Sequence, residues 1–402
     1  MPSDTRSGGL TLAVGLLAVG ETLVWAGLFY VFAALFVAWE TDFGWAKTDL
    51  TLGITLAIFA SALAAPIAGR IIDAGHGKAL MCIGALTGAA SLAGLSQIET
   101  RAGFTALWVL IGTSQAACLY EACFSFVTRT LGDQARFAIT RITLVAGLAS
   151  TLAFPAAGLL APAFGWRATV LIFAAVVAFV AAPLLYLGGT LLEQRAPLRA
   201  PTPPRAENKA AVKRAMARRE FWLIALVFAL VALNHGTILN HILPIFTDRG
   251  ASLWMATAAA SLIGPSQVMG RLVILRYELR LGSVTMTMIA LGIACVAAFV
   301  LLLAGLAPPL IFLFAVLQGG AFGVFSILRP VMVADILGRI AFGAISARTS
   351  VPYLVAIAAS PYLGALVWQV AGYNLVIACA LGFSMLALSA AYVLRKSATK
   401  SR

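Results

Sequence analysis

Thr41-Asp42-Phe43-Gly44 returns 206 positions later as Thr247-Asp248-Arg249-Gly250, and the punctuation around it returns at the same shift. Leu131-Gly132 recurs as Leu337-Gly338, Ala138-Ile139 as Ala344-Ile345, Thr143 as Thr349, Pro155 as Pro361 and Gly158 as Gly364. Two similar halves in a mostly apolar chain predict duplicated helical bundles in a membrane, because such pairs enclose a central site that can face either side. That is the architecture of a carrier.

Composition supports the same solvent. The 402 residues are 61% hydrophobic and 11% charged, with a mean hydropathy of +0.98, too few polar side chains to cover a water-soluble globule. In lipid only helices or closed barrels satisfy the backbone, and the apolar runs are continuous rather than alternating, which selects helices. Runs of roughly 20 residues cross the hydrocarbon layer. Twelve are expected, at 11–38, 50–69, 79–97, 104–127, 138–163, 167–190, 220–246, 253–274, 283–305, 309–334, 343–369 and 373–394. The fold class is therefore an all-α membrane protein of twelve transmembrane helices in two pseudo-symmetric six-helix bundles. Residues 1–190 and 220–402 form the halves, and 191–219, with Pro197, Pro201, Pro203 and Pro204 ahead of Lys213 and Arg214, reads as a solvated basic linker. The first run is too long for a signal peptide and no cleavage site follows it.

The formal net charge of +13 has a topological explanation. The linker holds eight Lys/Arg and the tail adds Arg395, Lys396, Lys400 and Arg402, whereas Lys47, Arg101, Arg167 and Arg249 on the other face stand among Glu40, Asp42, Asp49, Glu99 and Asp248. The positive-inside bias predicts that both termini and the linker are cytoplasmic, as in a bacterial inner-membrane protein. The cations are not interleaved with aromatic residues in a soluble domain, so nucleic acid is not an expected partner; membrane lipid is, with the polybasic linker near anionic head groups. A monomer is expected. Cys82, Cys118, Cys123, Cys295 and Cys379 are scattered through the runs with no metal spacing, which argues against a disulfide scaffold or metal site. Neither a Walker loop nor a dinucleotide fingerprint nor a nucleophile-base set is present. No cofactor is expected, and the chain does not read as an enzyme.

The loop Gly69-Arg70-Ile71-Ile72-Asp73-Ala74-Gly75-His76-Gly77-Lys78 resembles that of the major facilitator superfamily, whose members carry a Gly-x-x-x-Asp element ending in a basic residue between the second and third spans. In this reading Gly69 lets two helices approach, and Asp73 with Lys78 forms a conformational latch with neighbouring helix ends. Gly77 stands one residue late, and the second half echoes only Gly270-Arg271, without the acid. A finer resemblance is to the monocarboxylate porter and oxalate/formate antiporter branch. Phe43-Gly44-Trp45-Ala46 is similar to its aromatic-Gly-Trp-Ser/Ala element, and Arg271 stands where that branch places an arginine for the substrate carboxylate. Arginine suits the task, being a permanently charged planar fork. The branch's aspartate four residues earlier is here Gln267, and its first-span lysine is replaced by Ala33, Ala34 and Leu35.

Polar side chains inside spans are costly, so they are read as functional candidates. Glu21, with Trp25 one turn later, is the candidate for proton coupling. Gln115 and Tyr120 offer polar handles to a solute, while Glu121 is expected to pair with Arg129 or Arg141. Asn234, His235, Asn240 and His241 concentrate on the seventh span, where histidine can change charge near neutral pH; without a third ligand they do not suggest zinc. Arg329 precedes Pro330 on the tenth span and is a further cavity candidate. Gly84-x-x-x-Gly88 and Gly319-x-x-x-Gly323 predict close helix crossings.

The expected function is secondary active transport of a small solute by alternating access. The favoured version couples protons to a small organic anion, with Arg271 attracting the anion and Glu21, His235 or His241 carrying the proton. The alternatives are proton-driven efflux of drugs or other toxic solutes, with Trp25, Phe29 and Tyr120 favouring a cationic or apolar substrate, and a sensor with a carrier fold that moves no solute.

Overall fold

The computed structural model describes residues 3–195, 205–338 and 342–400, so the prolines at 197, 201, 203 and 204 lie outside the described residues. The chain divides into two compact units, Met1–Pro201 and Thr202–Arg402. All regular structure among the described residues is helical, as expected where lipid offers the backbone no hydrogen bonds.

In unit 1, α1 (Ser3–Trp25) passes through one π-turn (Ala26–Tyr30) into α2 (Val31–Phe43). Next come α3 (Lys47–Ile71), α4 (Gly77–Leu95), α5 (Arg101–Cys118) and α6 (Tyr120–Leu131). The unit closes with α7 (Ala135–Ala146), α8 (Ala149–Val176) and α9 (Ala182–Arg195). Unit 2 starts with α10 (Arg205–Met216), followed by α11 (Arg219–Asn240), α12 (Ile242–Asp248), α13 (Leu253–Ser261) and α14 (Ile263–Leu281). It ends with α15 (Ser283–Leu303), α16 (Leu310–Leu337) and α17 (Phe342–Lys400). The region read as a solvated linker is therefore partly helical: α9 runs on to Arg195, and α10 occupies 205–216 with Val212 and Ala215 buried in the core of unit 2.

Eight helical stretches among the described residues are long and apolar enough to cross a bilayer. Three of them, Lys47–Leu95 (49 residues), Phe137–Gln194 (58) and Ile345–Ser397 (53), are more than twice the roughly 20 residues one crossing needs. Each contains a residue with non-helical dihedrals, at Gly75, Gly165 and Gly372, where the path turns back. The eight stretches thus supply eleven crossings. The twelfth is α13 with α14, which falls outside the apolar set because it is interrupted at Leu262 and carries Arg271 and Arg276.

The backbone repeats the duplication more completely than the side chains do. All eight glycines at positive φ among the described residues fall into four pairs: Gly44 with Gly250, Gly75 with Gly282, Gly132 with Gly338, and Gly165 with Gly372. Their separations, 250−44, 282−75, 338−132 and 372−165, are 206, 207, 206 and 207. Left-handed dihedrals are costly for residues with a Cβ, so the turns kept glycine where helix interiors diverged.

Packing inside each unit relies on small residues, since apolar surfaces gain nothing by leaving lipid for each other. A Cβ at Gly84 would collide with Ala117, and one at Gly88 with Leu28; at Gly319 it would meet Ile263 and Ser266, at Gly323 the backbone of Gln267, and at Gly270 the backbone of Gly320. Both expected close crossings are therefore real. The most exposed side chains include Phe179 at 80% and Leu63 at 79%, which suits a surface solvated by acyl chains.

The acids and bases grouped at the turns pair locally. Lys47 pairs with Glu40, Arg101 with Asp49 at 3.0 Å, Arg167 with Asp42 at 2.9 Å and Arg249 with Asp248 at 3.0 Å. Asp42 also accepts from the Trp166 indole at 2.8 Å.

Candidate functional site

Glu21 is the most deeply buried acid among the described residues, with 0% of its surface exposed. Neither carboxyl oxygen has a hydrogen-bond partner. The polar groups around it are the Cys123 thiol, the Trp25 indole and, by its charge, Glu121. This neighbourhood is built where two crossings lose their regular ladders. The first crossing takes its π-turn directly after Trp25, a distortion that tends to mark functional positions. The fourth breaks at Leu119, whose extended dihedrals (φ −89°, ψ −171°) stop α5 at Cys118 and restart the chain as α6 at Tyr120. Glu121 and Cys123 then lie in the first turn of α6, where the Leu119 carbonyl accepts from the Ala122 and Cys123 N–H groups at 3.0 and 3.1 Å.

Aromatic rings line the same place. Trp25 packs against Phe29 at 5.0 Å and Tyr120 at 4.8 Å, and Tyr120 stacks on Phe124 at 4.8 Å with 15° between ring planes. All four are half-buried, and Glu121 beside them is exposed. The expected pairing of Glu121 with Arg129 or Arg141 is corrected. Arg129 donates to the Ile72 carbonyl, Arg141 lies over the Phe137 ring at 3.9 Å, and Glu121 has no ion-pair partner among the described residues. Those carbonyl and π contacts hold both cations at the helix ends. Gln115, read as a solute handle, is buried and donates to the Leu28 carbonyl at 2.7 Å, closing the gap beside the π-turn.

In unit 2 the polar residues of the seventh crossing mostly bond to protein. The Asn234 amide donates to the Ala380 carbonyl (2.9 Å) and Ser384 Oγ (3.0 Å), and its oxygen accepts from Gln318 Nε2 at 2.8 Å. Gln318 Oε1 is buried without a partner, beside a cavity of about 10 Å³ lined in part by Asn234, Gln318, Phe322 and Ser384; that volume is near the minimum for one water. Gln318 and Ser384 were missed in the sequence because single amides and hydroxyls on apolar helices carry no pattern. The two units use a glutamine alike, since Leu28 and Asn234 are equivalent at the 206 shift and each is bonded by a glutamine of the fourth or tenth crossing. His235 lies flat on Phe322, ring centroids 3.2 Å apart. Asn240 bonds its own helix at Gly236. His241 Nε2 meets the Pro361 carbonyl at 2.9 Å, tying the seventh crossing to the eleventh. There Ser360 Oγ donates to the Ile357 carbonyl, the acceptor that Pro361 cannot serve. Asn234→Ala should strip Gln318 and Ser384 of partners and open a void, lowering stability by about 2–4 kcal/mol. Thermal unfolding in detergent measures this, and an unchanged midpoint would refute the network's role.

Arg271 is buried at the α14–α16 crossing, its Nε donating to the Gly323 carbonyl at 3.4 Å. Arg329 sits over the Tyr353 ring at 4.3 Å. The latch residues are distributed differently from the expectation. A Cβ at Gly69 would meet nothing, so Gly69 is not a close-approach residue; Gly77, which faces Phe126, is. Asp73 is exposed and makes no ion pair among the described residues; Arg129 of the neighbouring helix donates to the Ile72 carbonyl instead. Lys78 pairs with Glu193 at 2.9 Å and lies over Tyr186, joining the third crossing to the sixth. No cluster of potential metal ligands occurs among the described residues.

The family profile described as Major Facilitator Superfamily matches residues 10–313. No curated protein matches the chain. Among solved structures, a bacterial homolog of the human lysosomal transporter Spinster, inward-facing and unoccupied, aligns with a TM-score of 0.71 at 14% identity, covering 100% of this chain and 99% of that one. The nucleoside transporter NupG aligns with a TM-score of 0.68 at 15% identity, covering 96% and 98%. At these identities the likeness is one of fold.

Proposed function

Because the chain belongs to the Major Facilitator Superfamily and is a secondary transporter of a small-molecule solute rather than an enzyme, we propose that it couples proton movement to the passage of an organic cation, with Glu21 as the proton-carrying group. The observation that carries this reading is the buried Glu21 carboxyl without a partner, one turn from an aromatic cluster and the exposed acid Glu121. A bare carboxylate in such a place is costly, and a proton taken up from water removes the cost. A carrier that alternately opens this place to either side would load and release that proton. Glu121 supplies the charge a cation needs, and Trp25, Phe29, Tyr120 and Phe124 supply ring faces.

A second reading, a small organic anion as in the monocarboxylate branch, is favoured by the buried guanidinium of Arg271. In it Arg271 exchanges the Gly323 carbonyl for a carboxylate, and the seventh-crossing histidines share the proton. The cation reading stands first because Glu121 is already unpaired and accessible, whereas Arg271 is engaged at a tight helix crossing.

Purified protein challenged with tetraphenylphosphonium and with lactate separates the two. Stabilisation by the cation that weakens roughly tenfold in Glu121→Gln, a loss of about 1.4 kcal/mol, is the expected result. Stabilisation and vesicle uptake of lactate that vanish in Arg271→Gln would replace it with the anion version, and binding without flux would turn the protein into a sensor. Cytoplasmic termini in an inner membrane, a monomeric state and lipid contact of the basic linker complete the proposal. The orientation draws support from the local neutralisation of Lys47, Arg101, Arg167 and Arg249 and from the eight Lys/Arg that the sequence places in the linker.

A further inference from the structure

From the broken fourth crossing we infer that Trp25 and the amino end of α6 form the receiving site for ionised Glu21, and that Trp25 is a positioning residue that sets the pH at which the proton leaves. The inference rests on the reading of Glu21 as the proton-carrying group.

Two unmet needs face each other inside unit 1. Glu21 offers acceptor oxygens that nothing satisfies, and the Trp25 indole N–H is buried without an acceptor. They are four residues apart, one helical turn on one face of α1. Across from them α6 begins, a helix of 12 residues whose first turn holds Glu121 and whose fourth residue, Cys123, borders the Glu21 carboxyl. The Leu119 carbonyl takes the Ala122 and Cys123 N–H groups, so what the start of α6 offers an anion is the positive end of its dipole. A neutral carboxyl draws the indole only weakly. An ionised one can draw in both the indole N–H and the α6 start, so deprotonation would tighten the first crossing against the break at Leu119.

The surroundings leave few other controls. From the fourth crossing, Glu121, Cys118 and Cys123 are the titratable groups near Glu21. The helices α7, α8 and α9 also pack against α1. Their charged side chains are engaged elsewhere among the described residues, Arg141 over Phe137, Arg167 with Asp42 and Glu193 with Lys78. At Gly20 the contact is Leu185 and the Ala181 carbonyl. Among the described residues no cation is found beside Glu21.

The two neighbours should move the titration in opposite directions. Trp25→Phe keeps a ring but removes a donor that binds the ionised form more strongly than the neutral one, so ionisation becomes harder and the midpoint rises by about one pH unit. Glu121→Gln removes a like charge, so ionisation becomes easier and the midpoint falls. Infrared difference spectroscopy of the whole protein in lipid, titrated without substrate, reads the protonated carboxyl band directly, and Glu21→Gln identifies it by deleting it. In the unmutated protein, one tryptophan's indole N–H band should shift to its hydrogen-bonded position at the same midpoint, and Glu21→Gln should abolish that shift. A Glu21 band with the same midpoint in Trp25→Phe, or an indole band indifferent to pH, overturns the inference while leaving Glu21 as the proton group. If no titrating band disappears in Glu21→Gln, the reading beneath it fails as well.

Discussion

Glu21→Gln is expected to uncouple the carrier while leaving it folded. The amide is nearly isosteric with the protonated carboxyl, cannot ionise, and enters a space where Glu21 already lies without partners. Packing around the α1 face should therefore survive, including the contacts of Gly20 with Leu185. What is lost is the link between proton binding and the conformational cycle. Coupling free energies of 1–3 kcal/mol correspond to roughly 5–150-fold in affinity, so solute accumulation driven by a pH gradient should fall at least to the lower end of that range. Exchange of labelled for unlabelled solute, which needs no net proton movement, should persist. Flux in vesicles with and without an imposed gradient measures both. Gradient-driven accumulation equal to that of the unmutated protein would end the proposed role of Glu21.

The largest effect on stability is expected at the helix crossings. At Gly112 an added Cβ would run into the backbone of Ala57, and at Gly270 into the backbone of Gly320. Backbone cannot swing aside as a flexible side chain does, so the two helices must separate and each surrenders contacts along its length. Gly112→Val and Gly270→Val should cost at least the 1–3 kcal/mol typical of overpacking, with a lower thermal midpoint and reduced yield of folded protein. Gly69→Ala is the contrast, because a Cβ there meets nothing within 4 Å, and its midpoint should stay within a degree or two of the parent. Equal destabilisation at Gly69 and Gly270 would show that the crossings are not packed as described.

These glycines also mark how far the chain could be read without coordinates. Gly84-x-x-x-Gly88 and Gly319-x-x-x-Gly323 were legible as crossings because small residues at helical spacing have few other uses in lipid. Gly69 was misassigned for an equally physical reason. A family-like loop identifies a place in the sequence, but whether a glycine faces a neighbour depends on the rotation of its helix, and here Gly77 faces Phe126 instead. Lys78 was singled out as part of a latch, and its ion-pair partner Glu193 lies 115 residues away (193−78) on a helix with no pattern pointing back to it.

The candidate site divides the same way. Glu21 and Trp25 stood out because an acid in an apolar run is rare. Nothing in the string Cys118-Leu119-Tyr120 announces a broken helix, since no proline or glycine stands there and the extended Leu119 is imposed by its surroundings. Asn234, Gln115 and His241 looked like lining for a solute and are chiefly fastenings between helices, closed by Gln318, Leu28 and Pro361.

Sequence alone determined the solvent, the helical class, the duplication and the turns. Hydropathy and backbone hydrogen bonding leave a lipid-embedded chain no other regular structure, and left-handed turns demand glycine wherever they recur. Tertiary structure alone decided which polar groups are satisfied and which are left waiting. A hydrogen bond between helices depends on rotation, depth and tilt together, and these are fixed only when the crossings pack.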